Sequence, residues 1–233
     1  MRNWLTPVVA ALLAGAASAA TISGTIKFEG TAPALKPVTM DADPGCARKH
    51  SSAVANEMLV LGTGNTVGNI LVRVKSGLPA DRKYPTPAQP AVIDQNGCQY
   101  KPHVLGLQVG QKLKIKNSDG LLHNVHALPK TNTEFNRAMP ATMAEFEHVF
   151  DKAEDVFRVK CDVHPWMGSF VAVLAHPFFF VTSPDGAFKI DGLPAGTYEL
   201  EAWHERLPAK TVSVTVGADE KKTVDFMLTA PAR

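Results

Sequence analysis

The chain has 233 residues, 45% of them hydrophobic and 20% charged, with a formal net charge of +2. This is ordinary globular composition, long enough for one large domain or two small ones. So even a balance, with no charge block and no low-complexity tract, gives no reason to expect nucleic acid or an anionic membrane as a partner.

In chain order, Arg2 precedes an apolar run from Trp4 to Ala14, and Ala17-Ser18-Ala19 forms an A-x-A cleavage site. The pattern predicts a secretory signal peptide over residues 1–19, too short to span a bilayer. The alternative is an N-terminal membrane anchor. With the leader removed, the protein is expected to be periplasmic or secreted, with no membrane attachment.

Beyond Ala20 the chain reads as strands and turns. Thr21–Phe28 alternates apolar and polar residues and ends at Glu29-Gly30; Ile70–Val74 is a β-branched run ending at Ser76-Gly77. Residues 78–90 carry four prolines and suit a connecting loop. Val92-Ile93, Val104–Val109 and Lys112–Lys116 are strand-like. Residues 130–143 lack period-two alternation and carry Asn132, Asn136 and Pro140, which predicts a loop, at most with one helical turn. Glu145–Phe150 and Val156–Cys161 flank an Asp151–Asp155 turn as a hairpin, and Ser169–Leu174 is a further strand. Phe178–Thr182, Phe188–Ile190, Tyr198–Trp203, Thr211–Val216 and Thr223–Leu228 follow, with a turn over Gly192–Gly196. Short strands at this spacing predict an all-β antiparallel sandwich architecture.

Three cysteines in an exported chain divide naturally into a pair and one. Cys46 and Cys98 each sit beside turn residues and are taken as a disulfide, with two free thiols as the alternative. Cys161 sits in a different setting. Lys160-Cys161-Asp162-Val163-His164-Pro165-Trp166-Met167-Gly168 places a thiolate, an imidazole and a thioether at i, i+3 and i+6 after a strand. A tight loop can wrap these donors around one ion. Two His and one Cys with a weak axial Met are the donor set of a blue copper site. The missing histidine should come from a distant segment. Asn117–His126 offers His123 and His126; His123 is preferred, since it ends the turn and is followed by Asn124, a candidate hydrogen-bond donor to the thiolate.

Competing readings explain less. A buried structural Cys161 and a core Met167 leave the crowding of three donor types unexplained. A Cys/His nucleophile pair lacks an oxyanion-hole pattern. Structural zinc wants more Cys or His and no Met. A binuclear copper loop needs a second cysteine, which Val163 and Pro165 do not offer. His50, His103, His126, His148, His176 and His204 are expected to be surface or hydrogen-bonded core residues.

From Val92 to Leu174 the chain resembles the cupredoxin family. Tyr100–His103, the alternating Leu105, Leu107 and Val109, the His123-Asn124 pair and the C-x2-H-x2-M spacing resemble its amicyanin branch most. The resemblance implies a Greek-key β-sandwich holding one type 1 copper, with His123, Cys161, His164 and Met167 as ligands and Asn124 bonded to the Cys161 sulfur. It also implies one-electron transfer rather than catalysis, with redox proteins docking on an apolar surface around Pro165, Trp166 and the exposed edge of His164. Copper nitrite reductases and multicopper oxidases need further metal sites and more histidines. A non-redox copper carrier, or an extracellular binding sandwich with incidental copper, remains as an alternative.

The tail resembles a second family. Asp185-Gly186-Ala187-Phe188 and Leu193-Pro194-Ala195-Gly196-Thr197-Tyr198 are similar to the turn and strand motifs of the carboxypeptidase regulatory-like family, a small transthyretin-like or Ig-like sandwich of scaffolding or docking role. Its opening strands are missing from the tail, and Ser23–Phe28 and Ile70–Val74 are the nearest candidates. The expected organisation is therefore discontinuous: residues 20–84 and 177–233 form the smaller sandwich, and residues 85–176 form the cupredoxin set within it. Three consecutive pieces, or one extended cupredoxin, are the simpler alternatives.

Overall fold

The structure is a computed structural model that describes residues 19–231. The signal peptide expected over residues 1–19 lies outside the described residues, Ala19 excepted.

The protein is all-β. In chain order the elements are β1 (Ala20–Glu29), α1 (Pro44–Ala47), β2 (Leu71–Ser76), β3 (Ala91–Gln95), β4 (Tyr100–Lys101), β5 (Val104–Gln108), β6 (Lys112–Asn117), β7 (His123–Ala127), β8 (Phe135–Met139) and β9 (Glu145–Val149). They continue with β10 (Glu154–Lys160), β11 (Gly168–Leu174), β12 (Phe179–Val181), β13 (Ala187–Leu193), β14 (Gly196–Trp203), β15 (Lys210–Val216), β16 (Lys221–Thr223) and β17 (Phe226–Thr229). Period-two patterning makes most of them. β1 turns Ala20, Ile22, Ile26 and Phe28 inward, and β6 buries Leu113 and Ile115 while its lysines face outward.

The sheets fall into two sets. β1 pairs antiparallel with β13 and parallel with β16 and β17, while β2 lies between β12 and β14, with β15 outermost. These two sheets share one apolar core, built on Ile22, Ile26, Phe28, Val72, Phe188, Tyr198, Leu200 and Phe226. The other set runs β5-β11-β10-β7-β8 and β4-β3-β6-β9. Its core holds Ile93, Tyr100, Leu107, Ile115, Val125, Phe150, Val171 and the sulfur residues Cys161 and Met167. Met40 and Cys46, from the long segment after β1, belong to this second core as well.

A third apolar cluster joins the two sets, with Leu71, Val104, Ala172 and Leu174 buried among Phe170, Phe179 and Trp203. Across the same junction Arg73 of β2 donates to Glu201 of β14 and, at 2.6 Å, to Asp155 of β10. Lys75 also pairs with Glu201. A nearly buried carboxylate is tolerated because two cations face it.

One pairing and three boundaries differ from the sequence reading. The hairpin expected of Glu145–Phe150 with Val156–Cys161 does not form, since β9 pairs with β6 and β10 lies between β11 and β7 in the other sheet. The expected loop over 130–143 contains β8, paired with β7 from His123–Met139 to Ala127–Phe135. β8 is an edge strand whose central residues Asn136, Arg137 and Ala138 are all exposed, so it has no alternation to read. The expected last strand, Thr223–Leu228, is two strands. The break falls at Val224 and Asp225, where the Asp225 carboxylate accepts from the Thr25 amide at 2.8 Å. The turn expected over Gly192–Gly196 begins later, since β13 runs to Leu193.

Gly24 shows how closely β1 is held. A Cβ there would lie 1.8 Å from the Val224 carbonyl oxygen, a backbone atom that cannot swing away. Gly24→Ala is expected to cost about 2 kcal/mol by overpacking, read as a lower urea midpoint with an unchanged slope. A midpoint equal to wild type would mean that β1 and Val224 separate freely.

Candidate metal centre

Two distant pieces of the second sheet set converge on one point. β7 begins at His123 and projects it inward with Val125, while Asn124 and His126 belong to the opposite face. β10 ends at Lys160, and the following turn returns through Met167, whose carbonyl accepts from the Cys161 amide at 3.2 Å and whose amide donates to the His164 carbonyl at 2.9 Å. The loop closes like a clasp at the mouth of the β10–β11 hairpin, where Lys160 pairs with Gly168.

The side chains meet tightly. His123 Nδ1 and His164 Nδ1 are 2.9 Å apart, and Cys161 Sγ is 3.9 Å from His164 Nδ1. One ligand atom from each of the three lies within 4.8 Å of the others, and all three residues are buried. Donors sharing one ion through bonds of about 2 Å lie about 3 to 4 Å apart, so the spacing fits a single ion. Met167 is buried in the same core, fixed beside the cluster by its two backbone bonds. A thiolate and two imidazoles with a thioether neighbour suit copper, and two buried imidazoles aimed at one sulfur have little purpose as packing alone.

The outer nitrogens of both rings face carboxylates. His123 Nε2–H donates to Asp119 Oδ2 at 3.0 Å, and His164 Nε2–H donates to Asp43 Oδ2 at 2.9 Å. Each carboxylate also holds the backbone of one half-cystine. Asp119 accepts from the Gly97 and Cys98 amides at 2.7 and 2.8 Å. Asp43 accepts from the Gly45 and Cys46 amides at 2.7 and 3.3 Å as the N-cap of α1. The Cys46–Cys98 disulfide thus sits directly behind the histidines, with Cys46 Sγ 3.6 Å from His164 Nε2. Cys161 is the remaining cysteine and is free.

The charge that these partners favour falls on His123. Burial opposes that charge, but the Asp119 and Cys161 hydrogen bonds outweigh it and push His123 up to about 9. Burial likewise raises the Cys161 thiol, yet His123 and the amides of Asn124, His164 and Val163 bring it below its ordinary value. For Asp119, burial is overcome by His123 and the two amides, which hold it at about 2.

The last shift sets a pH dependence. A carboxylate whose folded pKa lies below its unfolded 3.8 stabilises the fold above 3.8 and loses that stabilisation as pH falls toward 2. The metal-free protein is expected to lose stability over this window. Asp119→Asn should flatten that part of a urea-midpoint profile, and an unchanged profile would place the acid sensitivity elsewhere.

Asn124 lies beside the Cys161 sulfur, but with its oxygen rather than its amide nitrogen toward it. Its backbone amide helps to lower the Cys161 thiol, while its side chain turns its oxygen to that sulfur at 3.2 Å. The expected side-chain donation to the thiolate is therefore replaced, because the amide nitrogen is engaged by Asn136 at 2.6 Å and Asp162 at 3.3 Å. The same oxygen also accepts from the Asp162 amide at 2.6 Å. His126 lies outside the cluster, between Asp162 and Glu134 at 2.9 and 2.8 Å. His50 bonds the Gly97 carbonyl, and His103 pairs with Glu205.

The exposed His164 edge expected from the loop sequence is not found. His164 is 2% exposed, covered by the Asp43–Ala47 turn and by Trp166, whose ring centroid lies 5.0 Å away. Trp166 is itself pinned, donating from Nε1 to the Cys98 carbonyl at 3.1 Å. Pro165 and Val163 remain exposed. Sequence reasoning missed Asp43 and Asp119. Asp43-Pro44 is a readable helix start, with an N-cap residue followed by proline at the first helical position, but it does not say which side chain the cap will meet. Among the described residues no helix is long and apolar enough to cross a membrane.

No protein-family model matches the chain, and no curated protein matches it in sequence. Three similar solved structures illustrate what it is like. A copper-containing nitrite reductase (NirK) from Thermus scotoductus SA-01 is 18% identical over 42% of this chain and 25% of that one, with a TM-score of 0.34. The match thus spans a quarter of the enzyme. A purple cupredoxin from Nitrosopumilus maritimus is 27% identical over 36% of this chain and 98% of that one, TM-score 0.30. An amicyanin variant in its Cu(I) form is 20% identical over 45% of this chain and 98% of that one, TM-score 0.32. Each of these likenesses covers less than half of this chain.

Proposed function

We propose that this chain is an exported type 1 copper protein that carries single electrons between redox proteins. The observation that carries the reading is the buried meeting of His123, His164 and Cys161, with one ligand atom of each within 4.8 Å of the others. His123, Cys161 and His164 would hold the ion, with Met167 as the weak fourth ligand. Copper bound there supplies a Cu(II)/Cu(I) couple. The protein's own part is to keep the donors fixed. The Met167 and His164 backbone bonds shape the loop, amide hydrogen bonds support the sulfur as thiolate, and burial excludes water. A frame that moves little between oxidation states keeps the barrier to transfer low.

The organisation we infer is a cupredoxin over residues 85–176 set within a smaller sandwich of residues 20–84 and 177–233, except that the segment carrying Met40 and Cys46 packs on the cupredoxin core. Its support is that β1 and β2 pair only with strands beyond residue 178. The smaller sandwich serves as scaffold or docking module. Periplasmic or secreted localisation fits the disulfide and the leader pattern. Redox partners would approach the exposed Pro165 and Val163 side of the loop.

The test is the visible spectrum of mature protein titrated with Cu(II). An intense thiolate-to-copper absorption that saturates at one equivalent and bleaches on one-electron reduction is expected. A colourless Cu(II) complex would overturn the reading in favour of a copper carrier.

A further inference from the structure

We propose that Asp43 is a positioning residue for His164: it fixes the ring with Nδ1 toward the centre, and its charge lowers the reduction potential of copper held there. The second half of this inference rests on the copper reading above; the first does not.

Asp43 divides its carboxylate between two tasks. Oδ1 accepts from the Gly45 and Cys46 amides and so belongs to the turn. Oδ2 is left for His164 Nε2 at 2.9 Å. An ionised carboxylate only accepts, so the proton must sit on Nε2, and Nδ1 presents a lone pair to His123 and Cys161. The turn cannot drift from the ring. Cys46 is fully buried in the second core and tied to Cys98, and the Asp43 amide donates to the Met40 carbonyl at 3.0 Å. Trp166 packs on the ring and bonds the Cys98 carbonyl, so the same disulfide holds the ring's cover as well as its hydrogen-bond partner.

Asp43 is therefore built into the site from a segment about 120 residues upstream of the loop. Its effect on an ion at Nδ1 follows from charge. A carboxylate on the far side of an imidazole makes the ring a stronger donor and favours the more positive metal state. With Asp119 behind His123, both histidines are backed by anions. Losing one of these charges favours Cu(I).

Two substitutions separate the ring contact from the turn. Asparagine has one oxygen where aspartate has two; that oxygen keeps the cap and the side-chain NH2 then faces His164 Nε2, so Asp43→Asn removes the charge and the ring's acceptor together. Asp43→Ala removes the cap as well. In 15N-labelled metal-free protein at neutral pH, long-range proton–nitrogen correlations should show His164 as the Nε2–H tautomer in wild type and turned toward Nδ1–H in Asp43→Asn. Asp43→Ala should show both tautomers. A wild-type ring protonated on Nδ1, or an Asp43→Ala ring indistinguishable from wild type, overturns the positioning role. In copper-loaded protein, Asp43→Asn should shift the relative affinity for the two oxidation states about tenfold toward Cu(I), a rise of about 59 mV. An unchanged potential overturns the electronic role. If the protein gives no charge-transfer band at all, the copper reading fails and the electronic role with it, while the nuclear magnetic resonance result still decides the positioning role.

Discussion

Cys161→Ser is expected to abolish the intense visible absorption of the copper-loaded protein while leaving the apolar cores intact. Serine keeps the shape of the side chain but supplies a hydroxyl, which stays protonated where a thiol ionises. The sulfur sits 3.9 Å from His164 Nδ1 and accepts from the His164 amide at 3.4 Å, so the substitution removes the donor about which the loop is folded. Without a thiolate the remaining imidazoles bind copper weakly, and the one-electron couple disappears from voltammetry. His126→Ala is the control, because His126 lies on the outer face of β7, where its ring bonds Glu134, Asp162 and Asn136. It should keep the full band. Retention of the band in Cys161→Ser would exclude Cys161 as a ligand.

The largest stability effect belongs to the disulfide. Cys46 and Cys98 are 52 residues apart in sequence and both fully buried. Replacing both by serine frees that loop in the unfolded chain, at a cost of about 4 kcal/mol on a chain-entropy basis and roughly 10 °C in Tm. Calorimetry of the double variant should match that of wild type held in a strong dithiol reductant. A variant with the wild-type Tm would mean that the bridge contributes nothing to the native state. In the variant the α1 turn also loses its anchor, so the cover over His164 becomes the first part of the molecule to open. Amide exchange at Gly45 and Cys46 should quicken before that of β7.

What the sequence revealed, and what it hid, follows from where each signal lives. Local alternation marked β1 and β6, because each buries one face, while β11 reads as an apolar run and is buried on both. β8 escaped notice because an exposed edge strand has no buried face to pattern. The loop donors Cys161, His164 and Met167 were legible together, since one short turn carries them. Of the two upstream histidines, strand parity decides. His123 and His126 are three apart, so a strand cannot turn both to one side. The cover over His164 was illegible, because nothing in the loop's own residues records that Asp43 and Cys46 will pack on it. The proline and glycine after Asp43 announced a turn, and its address in space came only with the fold.

The pairing of β1 has a consequence in time. Its parallel neighbours, Lys221–Thr223 and Phe226–Thr229, are separated from it by about 200 residues. β1 therefore stays unpaired on that edge until the chain has been made through Thr229. The sheets of residues 91–174 need no residue from either flank for their strand pairing and can form while β1 waits. Closing so long a loop is slow compared with joining neighbouring strands. The half that carries the candidate metal centre can thus be shaped first, and the flanking sandwich closes around its two ends last.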